Sequence, residues 1–187
     1  MGRVSTKEDK TVYQIARERL GYSREKAAEE TMLEPYKIER IENEKMEASP
    51  WDVAAMAEAY KEPELCNHYC SNECPIGKKY VPEIKVKDLS QVVLEMLASL
   101  NSMKKCQERL IEITADGVIE KEELEDFVHI QKELEKISIT VETLQLWTER
   151  MIATGKIDMD KYNELMNKWF FLSVVKSTLF FLTILSK

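Results

Sequence analysis

The stretch that decides the fold is YSREKAAEETMLEPYKIERIEN, residues 22–43. Ser23 precedes a short helical pattern and can cap it, because a serine hydroxyl accepts a hydrogen bond from an unpaired amide of the first turn. A second short helix is predicted to begin at Glu34, with Pro35 at the first helical position, where a missing N–H costs nothing. The stretch therefore predicts two short helices joined by a tight turn.

The second of these helices has two different faces. Ile38 and Ile41 are three residues apart and point inward, and the small residues Ala27 and Ala28 in the first helix allow it to approach closely. The side chains left pointing elsewhere are Tyr36, Lys37, Glu39 and Arg40. A short helix that shows polar side chains from its N-terminal half is what a helix-turn-helix needs to reach base edges in a DNA major groove.

Two segments carry a resemblance to a known family. SREKAA, residues 23–28, stands where Cro/repressor-type regulators (the XRE family) usually show Thr-Gln-x-x-Leu-Ala, and IERIEN, residues 38–43, is similar to their Ile-x-x-Ile/Trp-Glu-Asn ending. The resemblance covers roughly residues 1–65. It implies a five-helix, lambda-repressor-like domain in a sequence-specific transcriptional regulator. The recognition helix, about Glu34–Asn43, is then expected in the major groove of double-stranded DNA.

The same resemblance implies a set of DNA-contacting residues. Tyr36, Lys37 and Arg40 are expected nearest the bases, with Arg24 on a phosphate. The complete predicted set is Arg24, Lys26, Pro35, Tyr36, Lys37, Glu39 and Arg40.

Charge supports a competing hypothesis. The net charge is −7, and residues 1–65 hold 11 Lys and Arg against 15 Asp and Glu. Arg24, Met32 and Glu34 also stand where the family usually shows Gln, Gly, and Ser or Thr. Nonspecific DNA affinity comes largely from cations that neutralise phosphates. The alternative is a protein-interaction module that retains the helix-turn-helix scaffold without strong DNA affinity.

Three further helices are expected to complete a domain over residues 1–77. The first should run from about Lys7 to Leu20 and end at Gly21. Ser49-Pro50-Trp51-Asp52 is a strong start signal for a fourth helix, and a fifth should begin near Pro63. The buried positions expected in the last two helices are Val53, Met56, Ala57, Tyr60, Leu65 and Tyr69.

Three cysteines follow this domain's core residues. Cys66, Cys70 and Cys74 could hold zinc or part of an iron–sulfur cluster, with Cys106 or His68 as a fourth ligand. Their spacing matches no standard motif for either group. The favoured interpretation is that they are small buried apolar residues, so no cofactor is expected.

The remainder of the chain is predicted to be a linker and a helical hairpin. KKYVPEIKVK, residues 78–87, should be extended, and residues 88–187 should form a long antiparallel hairpin or coiled coil with a third C-terminal helix. One heptad seam comprises Leu89, Val93, Met96, Leu100, Met103 and Leu110, with Gln107 in the vacant place. The other comprises Phe127, Ile130, Leu134, Ile137, Val141, Leu144, Thr148 and Met151. The seams predict a homodimer.

The last stretch and the composition bound the function class. WFFLSVVKSTLFFLTIL, residues 169–185, is apolar but contains Lys176, which favours core or oligomer packing over a membrane anchor, although an anchor stays open. The first ten residues do not resemble a signal peptide, so a cytoplasmic protein with reduced cysteines is expected. No constellation typical of an enzyme is present in the sequence, and catalysis is not expected.

Overall fold

The computed structural model describes residues 10–168, and within that range it contains helices and loops but no strand. Eight helices have defined bounds, and residues 159–168 are also helical. The helices are α1 (Val12–Arg19), α2 (Arg24–Thr31), α3 (Pro35–Glu42), α4 (Pro50–Tyr60), α5 (Glu64–Asn72), α6 (Gly77–Tyr80), α7 (Leu89–Ile113) and α8 (Leu124–Ala153). The predicted all-α class is confirmed.

The first five helices enclose one small apolar core. Helix α2 packs against α3 and α4, and α1 packs against the same two helices. Ile38 and Ile41 of α3 are buried in this core, as their spacing predicted. The predicted inner face of α4 is also buried, and Leu65 of α5 closes the core. Burial of this shared core holds the two short helices of residues 22–43 together.

The helix starts follow the capping signals in the sequence. The Ser23 hydroxyl accepts a hydrogen bond from the Lys26 amide at 3.1 Å. Ser49 and Asp52 form a reciprocal capping box at the start of α4. The predicted start of α1 is too early, because the Thr11 hydroxyl accepts from the Gln14 amide and begins the helix at Val12.

The predicted linker is only partly extended. Residues 78–80 belong to the one-turn helix α6, in which the Lys78 amide donates to the Cys74 carbonyl and the Val81 amide to the Gly77 carbonyl. The extended part is pinned to α5, because the Asn67 side chain donates to the Pro82 carbonyl at 3.0 Å and accepts from the Ile84 amide at 2.8 Å. The extended prediction is therefore wrong for residues 78–80.

Helices α7 and α8 pack against each other as a hairpin. Arg109 of α7 forms an ion pair with Asp126 of α8 at 2.7 Å. Ser102 of α7 lies near enough to Glu133 of α8 to help lower the pKa of that carboxyl. Moving seven residues back along α7 thus corresponds to moving seven forward along α8, so the two helices are antiparallel.

The seam of this hairpin is shifted from the predicted one. In α7 the buried residues are Val92, Ser99 and Ile113, seven or fourteen residues apart, whereas Val93 and Leu100 of the predicted seam are exposed. The apolar residues of α7 fill more than two positions in each heptad, so the sequence is compatible with two seams that differ by one residue. Burial of Ser99 is tolerated because its hydroxyl donates to the Glu95 carbonyl of the same helix.

The shift in α8 is partial, because Ile130 of the predicted seam is buried and Ile137 and Leu144 are half-buried, as predicted. Glu133 and Thr140 are buried, whereas Leu134 and Val141 of the predicted seam are exposed. The Thr140 hydroxyl donates to a carbonyl of its own helix, and Lys136 pairs with Glu133. Lys136 and Ser102 hold the pKa of Glu133 below its usual range. These local partners offset the free-energy cost of burying polar side chains between the two helices.

The chain divides into two compact units, residues 1–150 and residues 151–187. Within residues 10–168, no helix combines the length and apolar character that crossing a membrane requires. The apolar stretch 169–185 lies outside the described residues. The boundary predicted at residues 78–87 stays a prediction.

Candidate nucleic-acid interface

The turn between α2 and α3 sets the angle at which α3 is presented. Met32 adopts a left-handed conformation, with φ of 57°, and its side chain is 89% exposed. Thr31 is buried next to it, and its hydroxyl donates to the Ala27 carbonyl at 2.7 Å and accepts from the Leu33 amide at 3.3 Å. The turn is therefore held by the threonine side chain, and Met32 occupies a backbone conformation that glycine normally fills.

The outer face of α3 is solvent-exposed and polar. Tyr36, Glu39, Arg40 and Asn43 follow the spacing i, i+3, i+4, i+7, which places them on one helix face. The Tyr36 ring is 64% exposed, and the Arg40 guanidinium carbon lies 5.7 Å from its centroid. With Lys45, these residues line a shallow depression of about 310 Å³. Tyr36 and Arg40, both predicted contacts, are thus brought together.

Lys37 is turned away from that face toward α4. Its ammonium group lies 2.6 Å from a carboxylate oxygen of Asp52, which is buried. Burial alone raises the pKa of Asp52, but hydrogen bonds from Lys37 and Ser49 outweigh it and lower the pKa overall. Lys37 therefore neutralises a capping carboxylate, and this pairing competes with any contact to DNA.

Arg24 is held by the core rather than presented freely. Its Nε donates to Oε2 of Glu42 at 2.9 Å, and Glu42 is fully buried in the domain. Arg17 binds the same carboxylate from the other side. Burial of the Arg17 guanidinium lowers its pKa, but the hydrogen bond to Glu42 and the negative charge of Glu42 together outweigh burial and raise the pKa overall. Arg24 shares one negative charge with Arg17 and keeps about a third of its side chain exposed.

Lys26 lies on the exposed surface of α2 between two carboxylates. Its ammonium group is 2.6 Å from Glu30 and 3.3 Å from Glu29, and these hydrogen bonds raise its pKa. Among the four predicted cations, Arg40 is the one for which the described residues supply no carboxylate partner. The remaining predicted residues, Pro35 and Glu39, are exposed on α3.

Sequence reasoning missed three residues at this surface. Trp51, identified only as part of a start signal, is 85% exposed beside Asp52. Asn43 and Lys45 line the depression, and the Lys45 carbonyl accepts a hydrogen bond from Arg40 at 3.2 Å. The i, i+3, i+4, i+7 spacing from Tyr36 was available to find Asn43. The exposure of Trp51 depends on how α4 packs and carries no local signal.

The cysteines are free thiols, and within the described range no group of three or more Cys, His, Asp or Glu residues is arranged to hold a metal ion. Cys66 is exposed, whereas Cys70 and Cys74 are half-buried. The expectation of buried apolar cysteines is therefore wrong for Cys66. The reason is that Leu65 and Tyr69 occupy the inner face of α5 and leave Cys66 outside.

Comparisons with known proteins agree with the geometry of the first four helices. No curated protein and no solved structure shows significant similarity to the chain. A family model described as a helix-turn-helix domain matches residues 14–60, which extend from α1 to the end of α4. The matched segment contains the turn, the outer face of α3 and its three supporting helices, so residues 14–60 are similar to a helix-turn-helix domain.

Proposed function

We propose that the chain is a non-catalytic, cytoplasmic transcriptional regulator that binds double-stranded DNA with the outer face of α3. The observation that carries this proposal is the arrangement of Tyr36, Glu39, Arg40 and Asn43 on one face of α3, away from the buried core; Tyr36 and Glu39 are exposed, and Arg40 and Asn43 are half-buried. The helix-turn-helix match over residues 14–60 supports the same assignment. The XRE-type resemblance of residues 23–43 is consistent with it.

The dimensions and chemistry of α3 suit a major groove. With its side chains an α-helix is about 10–12 Å in diameter, and a B-DNA major groove about 12 Å wide admits it. Arg40 is the side chain best placed to reach a guanine edge, because the described residues provide no carboxylate to hold it back. Glu39 can accept a hydrogen bond from a cytosine amino group. The face thus has a donor and an acceptor for base readout.

The regulator is proposed to act as a homodimer through the C-terminal helices. Two-fold symmetric proteins of this kind bind two-fold symmetric sites whose halves lie about one turn of DNA apart. The exposed apolar side chains of α7 and α8 support pairing of hairpins.

A protein-interaction module is the second candidate, and a specific observation favours it. Arg24, Lys26 and Lys37 are all paired with carboxylates, which reduces the charge available for phosphates. Met32 and Trp51 are large apolar side chains exposed near α3, as is typical of surfaces that bind proteins. In this candidate the same scaffold contacts a protein rather than a duplex.

Selection from a random duplex library, followed by affinity measurements over a salt series, separates the two candidates. The proposal expects enrichment of a defined sequence and an affinity that falls as salt rises. Arg40→Ala should weaken binding to the selected duplex by roughly 5- to 150-fold, which corresponds to about 1–3 kcal/mol for a base contact. Lys105→Ala, which removes an exposed cation on α7, is the matched control. Absence of enrichment, or equal binding by Arg40→Ala, would reject DNA recognition by α3.

A further inference from the structure

The hairpin leaves a second row of apolar side chains uncovered. On α7, Leu89, Val93, Leu97 and Leu100 are between 39% and 52% exposed. On α8, Leu134 and Val141 are 45% and 42% exposed. The two sets lie at heptad or near-heptad spacing, so each row runs along its helix instead of being scattered.

Both rows lie on the same side of the hairpin. Val93 and Leu100 each come one residue after a buried position, Val92 or Ser99. Each is therefore rotated about 100° around the axis of α7 from the buried side. Leu134 and Val141 each come one residue after the buried Glu133 or Thr140, so they are rotated by the same angle around the axis of α8. In antiparallel helices, an equal rotation in the same sequence direction leads to the same side. The six residues therefore form one continuous apolar side of the hairpin.

A side of this kind is typical of helices that pack against more than one partner. A seam of two apolar positions per heptad suits a pair of helices, whereas a wider stripe of three is typical of larger bundles. Here the α7–α8 contact uses one phase of the pattern, and the other phase is left exposed. Exposed apolar area of this extent marks an interaction surface in a soluble protein.

We propose that a second copy of this chain docks on this apolar side, formed by Leu89, Val93, Leu97, Leu100, Leu134 and Val141, and completes a four-helix bundle. The inference deepens the dimeric part of the proposed function and gives its contact surface. Each α7 lies over the partner's α8 in this bundle. Because both hairpins present the same surface, the contact closes with two-fold symmetry and leaves no further copy to add.

Charges beside the apolar rows favour this arrangement over α7 on α7. Lys104 borders the row on α7, and Glu135 borders the row on α8; neither has an ion-pair partner among residues 10–168. From the register of the hairpin, Leu100 is level with Glu135, so Lys104 lies one turn away from that level. With the two-fold axis parallel to the helices, Lys104 of one copy lies on the same edge of the bundle as Glu135 of the partner subunit, about one helical turn away along the axis. Stacking α7 on α7 would instead bring lysines together.

The neighbouring segment leaves this surface accessible. Residues 78–82 border α8 along a groove of about 520 Å³ that also includes Leu134, Glu135 and Ser138. The groove is open, and Leu134 remains nearly half exposed within it. The segment therefore forms an edge of the apolar side rather than a cover over it.

Sedimentation equilibrium of the full chain without DNA tests the proposal. The wild-type protein should be dimeric at micromolar concentration, and Leu100→Glu should raise the dimer dissociation constant roughly 30-fold or more, because each copy buries an unpaired charge. Ala98→Glu places the same side chain at an exposed position on the opposite side of α7 and should leave the constant unchanged. Circular dichroism of each variant verifies that the helices are retained.

A charge exchange tests the partner geometry. Lys104→Glu should weaken the dimer, and adding Glu135→Lys should restore it. A monomeric wild-type chain, or a dimer that Leu100→Glu leaves unchanged, would overturn the docking surface. A dimer that is broken by Leu100→Glu but not rescued by the charge exchange would overturn the α7-on-α8 arrangement. Since no DNA is present, these outcomes are independent of whether α3 binds a duplex.

Discussion

Arg17 donates hydrogen bonds to both carboxylate oxygens of Glu42 inside the small domain, with Nη2 3.0 Å from Oε2. Both side chains are almost completely buried. The pair joins α1 to the end of α3. Removing one partner from a buried ion pair leaves an uncompensated charge, which costs far more than the pair itself contributes.

Glu42→Gln should therefore destabilise the domain by about 3–5 kcal/mol, because the amide cannot neutralise the buried Arg17 guanidinium. Urea unfolding followed by circular dichroism measures the loss. Glu39→Gln changes an exposed residue of the same helix and should stay within about 0.5 kcal/mol of wild type. Similar midpoints for both variants would contradict a structural role of the Arg17–Glu42 pair.

Met32→Gly should stabilise the protein by about 0.5–1 kcal/mol. A left-handed conformation costs an L-residue roughly 1–2 kcal/mol, part of which glycine recovers after its larger loss of chain entropy. Little packing is lost, because the Met32 side chain is 89% exposed. The melting temperature should rise, whereas Ala28→Gly, inside α2, should lower it by the usual helix penalty of about 1 kcal/mol. A lower melting temperature for Met32→Gly would show that the methionine contributes contacts at the turn.

Gly77→Ala should be strongly destabilising although Gly77 has no positive φ. A β-carbon there would lie 2.0 Å from the Cys70 carbonyl oxygen, so backbone of α5 or α6 would have to move. We expect a loss of about 3 kcal/mol or more, at or above the upper end for overpacking. Gly117→Ala is the matched control, because its φ is 75° and nothing lies within 4 Å of the added carbon. It should cost only about 1–2 kcal/mol. The reverse order of the two losses would disagree with the close approach of α6 to Cys70.

Asp52 should make stability depend on acid pH. Its pKa lies below the ordinary value of 3.8 in the folded protein, because the hydrogen bonds of Lys37 and Ser49 outweigh burial. A lowered folded pKa contributes stability that is present above the unfolded pKa and is lost as pH falls through the folded one. The contribution is thus complete near neutral pH and declines below about pH 4.

Asp52→Asn should lose about 1 kcal/mol at neutral pH, as is usual for a weakened helix cap, and should show a shallower loss of stability in acid. Unfolding midpoints between neutral pH and pH 3 provide the measurement. Asp88→Asn is the control, because Asp88 precedes α7 without a side-chain capping bond. Identical acid profiles for wild type and Asp52→Asn would rule out this contribution.

Glu30→Gln should strengthen DNA binding. Lys26 is 2.6 Å from Glu30 and 3.3 Å from Glu29, so removal of the nearer carboxylate leaves one competitor instead of two for a phosphate. The slope of affinity against salt should steepen by about 1 if one more phosphate is contacted. Glu122→Gln makes the same charge change outside the helix-turn-helix and serves as control. Equal slopes for both variants would indicate that Lys26 lies away from the duplex.

Local signals in the sequence were sufficient for the helix-turn-helix domain. Ser23, Ser49 and the two N-terminal prolines each act within one turn of a helix, and their effects appear where capping rules predict them. The inward positions Ile38 and Ile41 follow from helical periodicity alone. The fold of this part depends on contacts between neighbouring elements, which is why the pattern was informative.

The pairing of side chains across elements was not predictable. Lys37 meets Asp52 because of the angle at which α3 packs on α4, and Arg24 meets Glu42 because of the angle at which α2 packs on α3. The residues of α7 that face α8 were equally ambiguous, because Val92 and Val93 are adjacent apolar residues and either can belong to a heptad seam. Choosing between them required the position of the opposite helix. The predicted DNA contacts remain predictions, because they depend on the position of a duplex.

The two hydrogen bonds between the Asn67 side chain and the backbone of Pro82 and Ile84 limit how far the connecting segment can move relative to α5. A flexible linker would let the proposed dimer bind half-sites that are separated by different numbers of base pairs. Here the Asn67 amide clamps the connecting segment to α5, and an ion pair between Arg150 of α8 and Glu64 of α5 adds a second tie. For the proposed dimer on DNA, inserting one base pair between half-sites should therefore weaken simultaneous engagement, and Asn67→Ala should widen the range of tolerated spacings.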